Sequence, residues 1–432
     1  MKTEINIGLL GAGTVGGGVI LVLKQNAEAI SHRVGVPVKI KKVYARHPEK
    51  VTKLDPELAI TDNVDELIND PEIDIIVELM GREQPAKDYM VAALEAGKNV
   101  ITANKDVIAK FGNELLEVAA KKQRDFMFEA AVAGGIPIIR PLKACLAANN
   151  ITSIMGIING TTNYMLTKML QDHEDFDKVL KEAQDKGYAE SDPTADIGGM
   201  DAARKLVILA SIAFNTRIYL KDVYVEGIEK INIRDIEYAQ ELGYVIKLLG
   251  IAKNNPETGI SVRVHPTMLP VNHPLATVND VYNAIYVTGD IVGETMFFGK
   301  GAGRMPTASA VCSDIIECSR NILHDCNGRI GCTCYEKKHL CSIENIYSPS
   351  YIRLLVQDKP GVLAAIASAF GSQNVSLNNV IQKKKVGNLA EIVVITYGVS
   401  EYNLRMAETT LKGLPVVEKI SNVIRVEDNT LE

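Results

Sequence analysis

Residues 187–205 read G-Y-A-E-S-D-P-T-A-D-I-G-G-M-D-A-A-R-K, with the carboxylates Glu190, Asp192, Asp196 and Asp201 ahead of two cations, Arg204 and Lys205. Ser191, Asp192 and Pro193 favour a sharp turn, and Gly198-Gly199 permits backbone angles that other residues resist. After Asp201 the run A-A-R-K-L-V-I-L-A holds no breaker, so a helix should open there. Asp201 and Lys205 then lie one turn apart on one face. Such a set suits a substrate that carries an ammonium group and a hydroxyl. The carboxylates would hold the ammonium, and the lysine would move the hydroxyl proton once burial or nearby cations lower its pKa. A solvated ion pair on a helix surface has the same spacing.

A second motif lies near the start. Ile5–Leu10 reads as a buried strand, the loop Gly11-Ala12-Gly13-Thr14-Val15-Gly16 follows, and G-G-V-I-L-V-L-K reads as a helix. This is the strand–loop–helix setting of a dinucleotide fingerprint. Gly11 would make the tight turn, Gly13 would let the backbone approach the pyrophosphate, and Gly16 would let helix and strand pack. The anion would sit on the free amides of the helix start. The strand at 38–45 ends in Arg46-His47, with Lys50 and Lys53 beyond, where an NAD site usually carries an acid. A cation there suits a 2′-phosphate, so NADP is preferred to NAD; a solvated loop arginine is the competing reading. The strand at 74–81 should bring Gly81 to the cofactor. The next strand ends in Asn104-Lys105, at the carboxyl edge where open α/β sheets take their ligands.

Glu129 is an acid in an apolar strand-like stretch, 126–142, and needs a partner there. The glycine-rich backbone after it could turn carbonyls inward, and one carboxylate with several carbonyls makes a hard-cation site. Cys145 sits in a helix-like run of small apolar residues with no histidine close by, and reads as a buried core thiol.

Ala183, Gly187, Asp192-Pro193, Asp196, Gly199, Asp201 and Lys205 match, in order and spacing, the signature of homoserine dehydrogenases. The chain resembles that family over nearly its whole length, apart from a cysteine-rich stretch. The resemblance implies reversible hydride transfer between NADP(H) and the aldehyde carbon of L-aspartate 4-semialdehyde, giving L-homoserine, in threonine, methionine and isoleucine biosynthesis. It implies that Lys205 is the general acid/base and that Lys105 assists between nicotinamide and substrate. Glu190 and Asp201 would bind the polar groups of this small amino-acid substrate, with Asp196 supporting the lysine environment and Gly160 and Thr161 beside the substrate. Gly303, in a second glycine-rich loop at 297–311, would meet the cofactor; a plain turn before a helix is the alternative. A structural sodium ion would lie on Glu129 and the backbone oxygens of Val132, Gly134 and Ile136. Two other readings compete: an oxidoreductase of another amino-acid aldehyde, and a non-enzymatic amino-acid or redox sensor.

The tail has the order βαββαβ of a ferredoxin-like layout, and its D-K-P-G-V-L turn resembles an ACT domain. That resemblance implies threonine as effector, at Asp358, Gly361, Val362 and Asn374. Tyr397 stands where the family more often has histidine. The expected fold class is α/β. Residues 1–135 form a Rossmann-type NADP-binding domain, with a helix at 305–324 packing back onto it. Residues 136–304 form an α+β substrate-binding and dimerisation domain, 325–349 a cysteine-rich linker and 350–432 the ACT domain. A homodimer or homotetramer is expected. Within the second domain, 151–166 should be a strand, a polar G-T-T-N loop and a helix start, and 237–250 an amphipathic helix.

Composition narrows the partners. The 432 residues are 47% hydrophobic and 23% charged, as in globular proteins, and a length of this order suggests roughly two to four domains. A net charge of −6 and the lack of tryptophan give no reason to expect nucleic acid, and no apolar run reaches membrane-span length. The N-terminus does not read as a signal peptide, which makes the cytoplasm the expected location. The odd total of seven cysteines argues against a disulfide scaffold. Cys326, Cys332, Cys334 and Cys341, with His339, could hold zinc or act in redox chemistry, but their spacing lacks paired C-x-x-C knuckles.

Overall fold

In the computed structural model, which describes residues 2–428 and 430, the chain divides into two compact units. The first comprises 1–154, 204–221 and 283–337, and the second 155–203, 222–282 and 338–432.

The first unit is built on a parallel sheet of six strands: β1 (Ile5–Leu10), β2 (Val38–Tyr44), β3 (Ala59–Thr61), β4 (Ile75–Glu78), β5 (Asn99–Thr102) and β6 (Phe126–Met127). Their order is β3-β2-β1-β4-β5-β6, so the sheet reverses direction at β1, the switch point where doubly wound folds open a crevice. The strands are continuous apolar runs, with β4 and β5 wholly buried, because helices cover both faces. The helix Arg304–Leu323 is far away in sequence, yet its Ala308, Val311, Cys312, Ile315 and Cys318 share one core with β1 and the helix Thr14–Gln25. Gly18 makes that packing close: a Cβ there would meet the Arg304 carbonyl oxygen at 2.7 Å.

The second unit ends in Ser350–Gln357, Val362–Ser372, Leu377–Val386, Leu389–Thr396, Glu401–Lys412 and Val417–Val426, alternating as β, α, β, β, α and β. Its strands lie with the last beside the first, then the third, then the second, around the Ile352, Leu354, Ile366, Phe370 and Leu411 core. Buried Arg353 pins this module to the helix Ile233–Glu241, with Nε 2.8 Å from Asp235 Oδ1 and Nη1 2.9 Å from Glu391 Oε2. Losing either partner would strand a buried charge.

Four expectations need correction. Residues 237–250 are not one helix: the helix ends at Glu241, Gly243 turns at φ +80°, and Tyr244–Asn255 is a strand paired antiparallel with Gly259–Pro270. A strand buried on both faces shows no alternation, so its apolar run mimics a helix. The G-T-T-N segment is not a loop but the first turn of Gly160–Asp172, capped by the Asn159 side chain, which accepts from the Thr162 amide. Glu129 lies in a short helical turn after β6 rather than in a strand. Cys145 is exposed, on the outward side of the turn Pro141–Cys145, so its small apolar neighbours do not enclose it. Among the described residues no helix is long and apolar enough to cross a membrane.

Candidate active site

The loop after β1 approaches itself closely. Gly11 has φ +97°, and a Cβ there would meet the Leu79 carbonyl oxygen at 2.9 Å. A Cβ on Gly16 would stand 2.1 Å from the Gly11 oxygen, whereas one on Gly13 meets nothing within 4 Å. Two glycines are therefore demanded by the turn itself, and the third borders open space at the start of Thr14–Gln25, where Thr14 is exposed and Val15 half-buried. The amides of that helix start are uncapped by any side chain, an arrangement that favours an anion.

Beside the loop lies a cavity of about 340 Å³, lined by Gly11, Ala12 and Gly13, by Arg46, His47 and Lys50 after β2, and by Gly81 and Arg82 after β4. The cations stand at the end of β2, and Gly81 turns at φ +69° at the end of β4. Gly303, with φ +118°, starts the helix Arg304–Leu323, whose Arg304 carbonyl abuts Gly18.

Lys105 opens the helix Lys105–Lys122, and Asn104 holds it in place: Oδ1 accepts from the Val107 amide at 3.2 Å while Nδ2 donates to the Arg82 carbonyl at 2.7 Å. Next to it Glu78 is wholly buried, with Oε2 accepting from the Thr102 hydroxyl at 2.6 Å and Oε1 from the Met80 amide at 2.7 Å. Burial pushes the Glu78 carboxyl above its usual range, against those hydrogen bonds. Lys205 lies on Met200–Ala213, half-buried, and its neighbour Arg204 pairs with Asp106 at 3.1 Å. That ion pair ties together the two helix starts that carry Lys105 and Lys205.

In the second unit, buried Asn159 joins two carboxylates from separate turns. Its Nδ2 donates to Asp196 Oδ1 at 2.7 Å and to Asp201 Oδ2 at 2.9 Å. Gly160 begins the helix that Asn159 caps, and the Thr161 hydroxyl donates to the Tyr188 carbonyl at 2.6 Å. Glu190 is exposed, and its backbone oxygen accepts from Gln184 Nε2 at 3.2 Å. The turn expected around Asp192-Pro193 contains a short helix, Thr194–Ile197, started by Asp192, whose Oδ1 accepts from the Thr194 amide and hydroxyl. Sequence reasoning missed Glu78 and Asn159, and named Asn104 only as part of a polar strand end. Glu78 carried the signal used for Glu129, an acid inside an apolar strand, and both asparagines stand immediately before a helix.

Glu129 finds its partners in the backbone. Oε1 accepts from the Ile138 and Ile139 amides at 2.6 and 2.8 Å, and Oε2 from the Arg140 amide at 2.7 Å. Its own amide donates to Asp314, whose other oxygen pairs with Arg140 at 2.8 Å. Burial and the Glu129 charge push the Asp314 carboxyl up to about 7. A carboxylate has about four lone-pair sites, so one remains on Oε2 for a cation. The backbone turns through Ala133 at φ +53° and Gly134 at φ +42°. One carboxylate with neutral carbonyls fits a monovalent cation better than a divalent one. Among the described residues no group of three or more His, Cys, Asp and Glu side chains could hold a metal ion, the cysteine-rich stretch included.

In the tail, Gly361, φ +86°, precedes Val362–Ser372, Asp358 lies exposed in the same turn, and Asn374, φ +56°, follows the helix. Tyr397 is 45% exposed.

Three family models match the chain: the homoserine dehydrogenase NAD binding domain at 11–129, homoserine dehydrogenase at 137–316 and the ACT domain at 350–427. The homoserine dehydrogenase of Bacillus subtilis is 43% identical over 428 residues, covering 98% of this chain and 99% of the relative. The crystal structure of a homoserine dehydrogenase from Thiobacillus denitrificans superposes with a TM-score of 0.94 at 42% identity, over 98% of both chains. A hyperthermophilic archaeal homoserine dehydrogenase solved in complex with NADPH gives a TM-score of 0.62 at 26% identity, over 73% of this chain and 98% of that one.

Proposed function

The chain belongs to the homoserine dehydrogenase family and is an oxidoreductase of that activity with an NAD(P)-binding domain, and on that premise we propose which of its residues carry the reaction. Gly11, Gly13, Arg46 and Gly81 would hold a nicotinamide cofactor, which when bound would supply the hydride for converting the aldehyde of L-aspartate 4-semialdehyde into the alcohol of L-homoserine. Lys205 delivers the proton that the new alkoxide oxygen needs and removes it in the reverse direction. Lys105, at the start of a helix on the β5 side of the sheet, assists as a second cationic donor to that oxygen. Asp201 and Glu190 hold the substrate ammonium, and Asp196 reinforces Asp201 through their common partner Asn159. Gly160 and Thr161 border the substrate. The observation that carries this reading is the Asp106–Arg204 ion pair, which brings the starts of the two lysine-bearing helices together.

NADP is the cofactor this reading favours over NAD, supported by Arg46 and Lys50 in the cavity beside Gly11–Gly13 and by likeness to an archaeal relative solved with NADPH. An Arg46→Ala variant should raise KM for NADPH by about tenfold, the order of one charge-assisted hydrogen bond of roughly 1.5 kcal/mol, and leave KM for NADH nearly unchanged. Equal effects on both cofactors would remove Arg46 from phosphate recognition. The activity itself is checked by NADPH oxidation with L-aspartate 4-semialdehyde against homologous amino-acid aldehydes.

The remaining roles rest on family likeness. Sodium on Glu129 and the carbonyls of Val132, Gly134 and Ile136 would be structural. The ACT domain would take an amino acid, threonine, at Asp358, Gly361, Val362 and Asn374. Division into nucleotide-binding, substrate and ACT domains, assembly as a homodimer or homotetramer, and action in the cytoplasm within threonine, methionine and isoleucine biosynthesis follow from the same likeness.

A further inference from the structure

The first unit holds a second reactive constellation, away from the nucleotide loop. The stretch after Arg304–Leu323 returns to the far end of the helix Met200–Ala213, where the Glu336 amide donates to the Asn215 carbonyl at 2.9 Å. There Cys332 is exposed, and its sulfur is folded back toward residue 334, accepting from the Cys334 amide at 3.4 Å. The Cys334 thiol donates to the Ser211 carbonyl at 3.5 Å. Arg217 Nη2 lies 3.8 Å from the Cys332 sulfur. Lys143 donates to the Gly331 carbonyl at 3.3 Å and stands over the Phe128 ring. The charged and titratable groups facing this sulfur are therefore Cys334 from its own segment, Arg217 and Tyr219 from 214–220, Lys143 from Pro141–Cys145 and Lys110 from Lys105–Lys122, all lining one cleft.

We propose that Cys332 and Cys334 form a hydroperoxide-reactive dithiol, in which Cys332 attacks and Cys334 resolves, closing a disulfide within the C-T-C segment. The Cys332 thiolate attacks one peroxide oxygen, the O–O bond breaks, and a proton converts the departing hydroxide to water, leaving a sulfenic acid. The Cys334 thiol then attacks that sulfur. Its proton leaves with the sulfenic hydroxyl as a second water and the S–S bond closes, so that two thiols are oxidised as one peroxide is reduced. Hydrogen bonding from residue 334, and after it the nearby Arg217 and Lys143 cations, draws the Cys332 thiol down to about 5, while hydrogen bonding to Cys332, burial and its partner's charge push Cys334 up. That division is what an attacking and a resolving thiol require.

Trypsin releases both cysteines in one segment, 330–337, that contains no third. The reduced full-length enzyme is exposed to one equivalent of hydrogen peroxide, remaining thiols are alkylated, and peptides are mapped by mass. The segment is expected two hydrogens lighter and unalkylated. In a Cys334→Ser variant, a sulfenic acid on Cys332 should instead be captured by dimedone. At pH 6, Cys332 in the wild-type enzyme should react with iodoacetamide about tenfold faster than glutathione, because its larger thiolate fraction outweighs its lower intrinsic nucleophilicity. An Arg217→Gln/Lys143→Gln double variant should lose that advantage. Full alkylation of 330–337 after peroxide, or oxidation of Cys145 or Cys326 ahead of Cys332, overturns the proposal.

Discussion

Replacing Lys205 by alanine is expected to lower kcat for L-aspartate 4-semialdehyde reduction by about a thousandfold, the middle of the range for general acid–base catalysis. The helix should survive, because Lys205 is only half-buried and is followed by the buried residues Leu206, Val207, Ile208, Leu209 and Ala210. NADPH binding, followed by fluorescence titration, should change little, since the nucleotide loop and Arg46 are untouched. A Lys205→Arg variant separates charge from proton transfer. Its guanidinium keeps the cation but does not release a proton at working pH, so kcat should stay low even where KM recovers. Turnover by Lys205→Ala within tenfold of the parent enzyme would exclude the lysine as the acid/base. A comparable loss in Lys105→Ala, with Lys205→Ala unaffected, would exchange the two roles.

Removing the Glu129 carboxylate should produce the largest loss of stability. Three backbone amides, those of Ile138, Ile139 and Arg140, have it as their acceptor. Leaving buried donors unsatisfied costs about 1–3 kcal/mol each. Glu129→Ala should therefore cost about 3 kcal/mol or more, which for a unit of this size corresponds to roughly 10 °C in melting temperature. Calorimetry or thermal circular dichroism reads it directly. Glu129→Gln keeps an acceptor for two of the amides but turns an NH2 toward the third or toward Asp314, and should fall in between. The same measurement tests the cation. If sodium occupies the last lone pair, exchanging choline chloride for sodium chloride should raise the melting temperature of the parent and leave Glu129→Ala unmoved. A salt response shared by both proteins would assign Glu129 to backbone capping alone.

Local pattern decided a good part of this protein. The run from Ile5 through Gly16 contains its own strand, turn and helix start, because the steric demand on Gly16 comes from the Gly11 carbonyl of the same loop; that on Gly11 comes from Leu79, after β4, and shows only in the fold. The helix after Asp201 and the alternation of elements in the tail were equally readable, since each depends on periodicity and breakers within a few residues. Reading failed where the cause was not local. Tyr244–Asn255 has a strand's environment only because Gly259–Pro270 pairs with it and both of its faces are covered. Its composition alone could not distinguish a buried strand from a buried helix. Asn159 gains its meaning from Asp196 and Asp201, and the Cys332 sulfur its guanidinium neighbour from Arg217, residues that only chain folding brings within hydrogen-bonding reach. Residue types and short spacings thus determined which chemistry was available and where its helices begin. Tertiary structure decided which acids are neighbours, which amides Glu129 must satisfy and which cation stands beside which thiol, because desolvation and charge pairing depend on distance in space rather than in sequence.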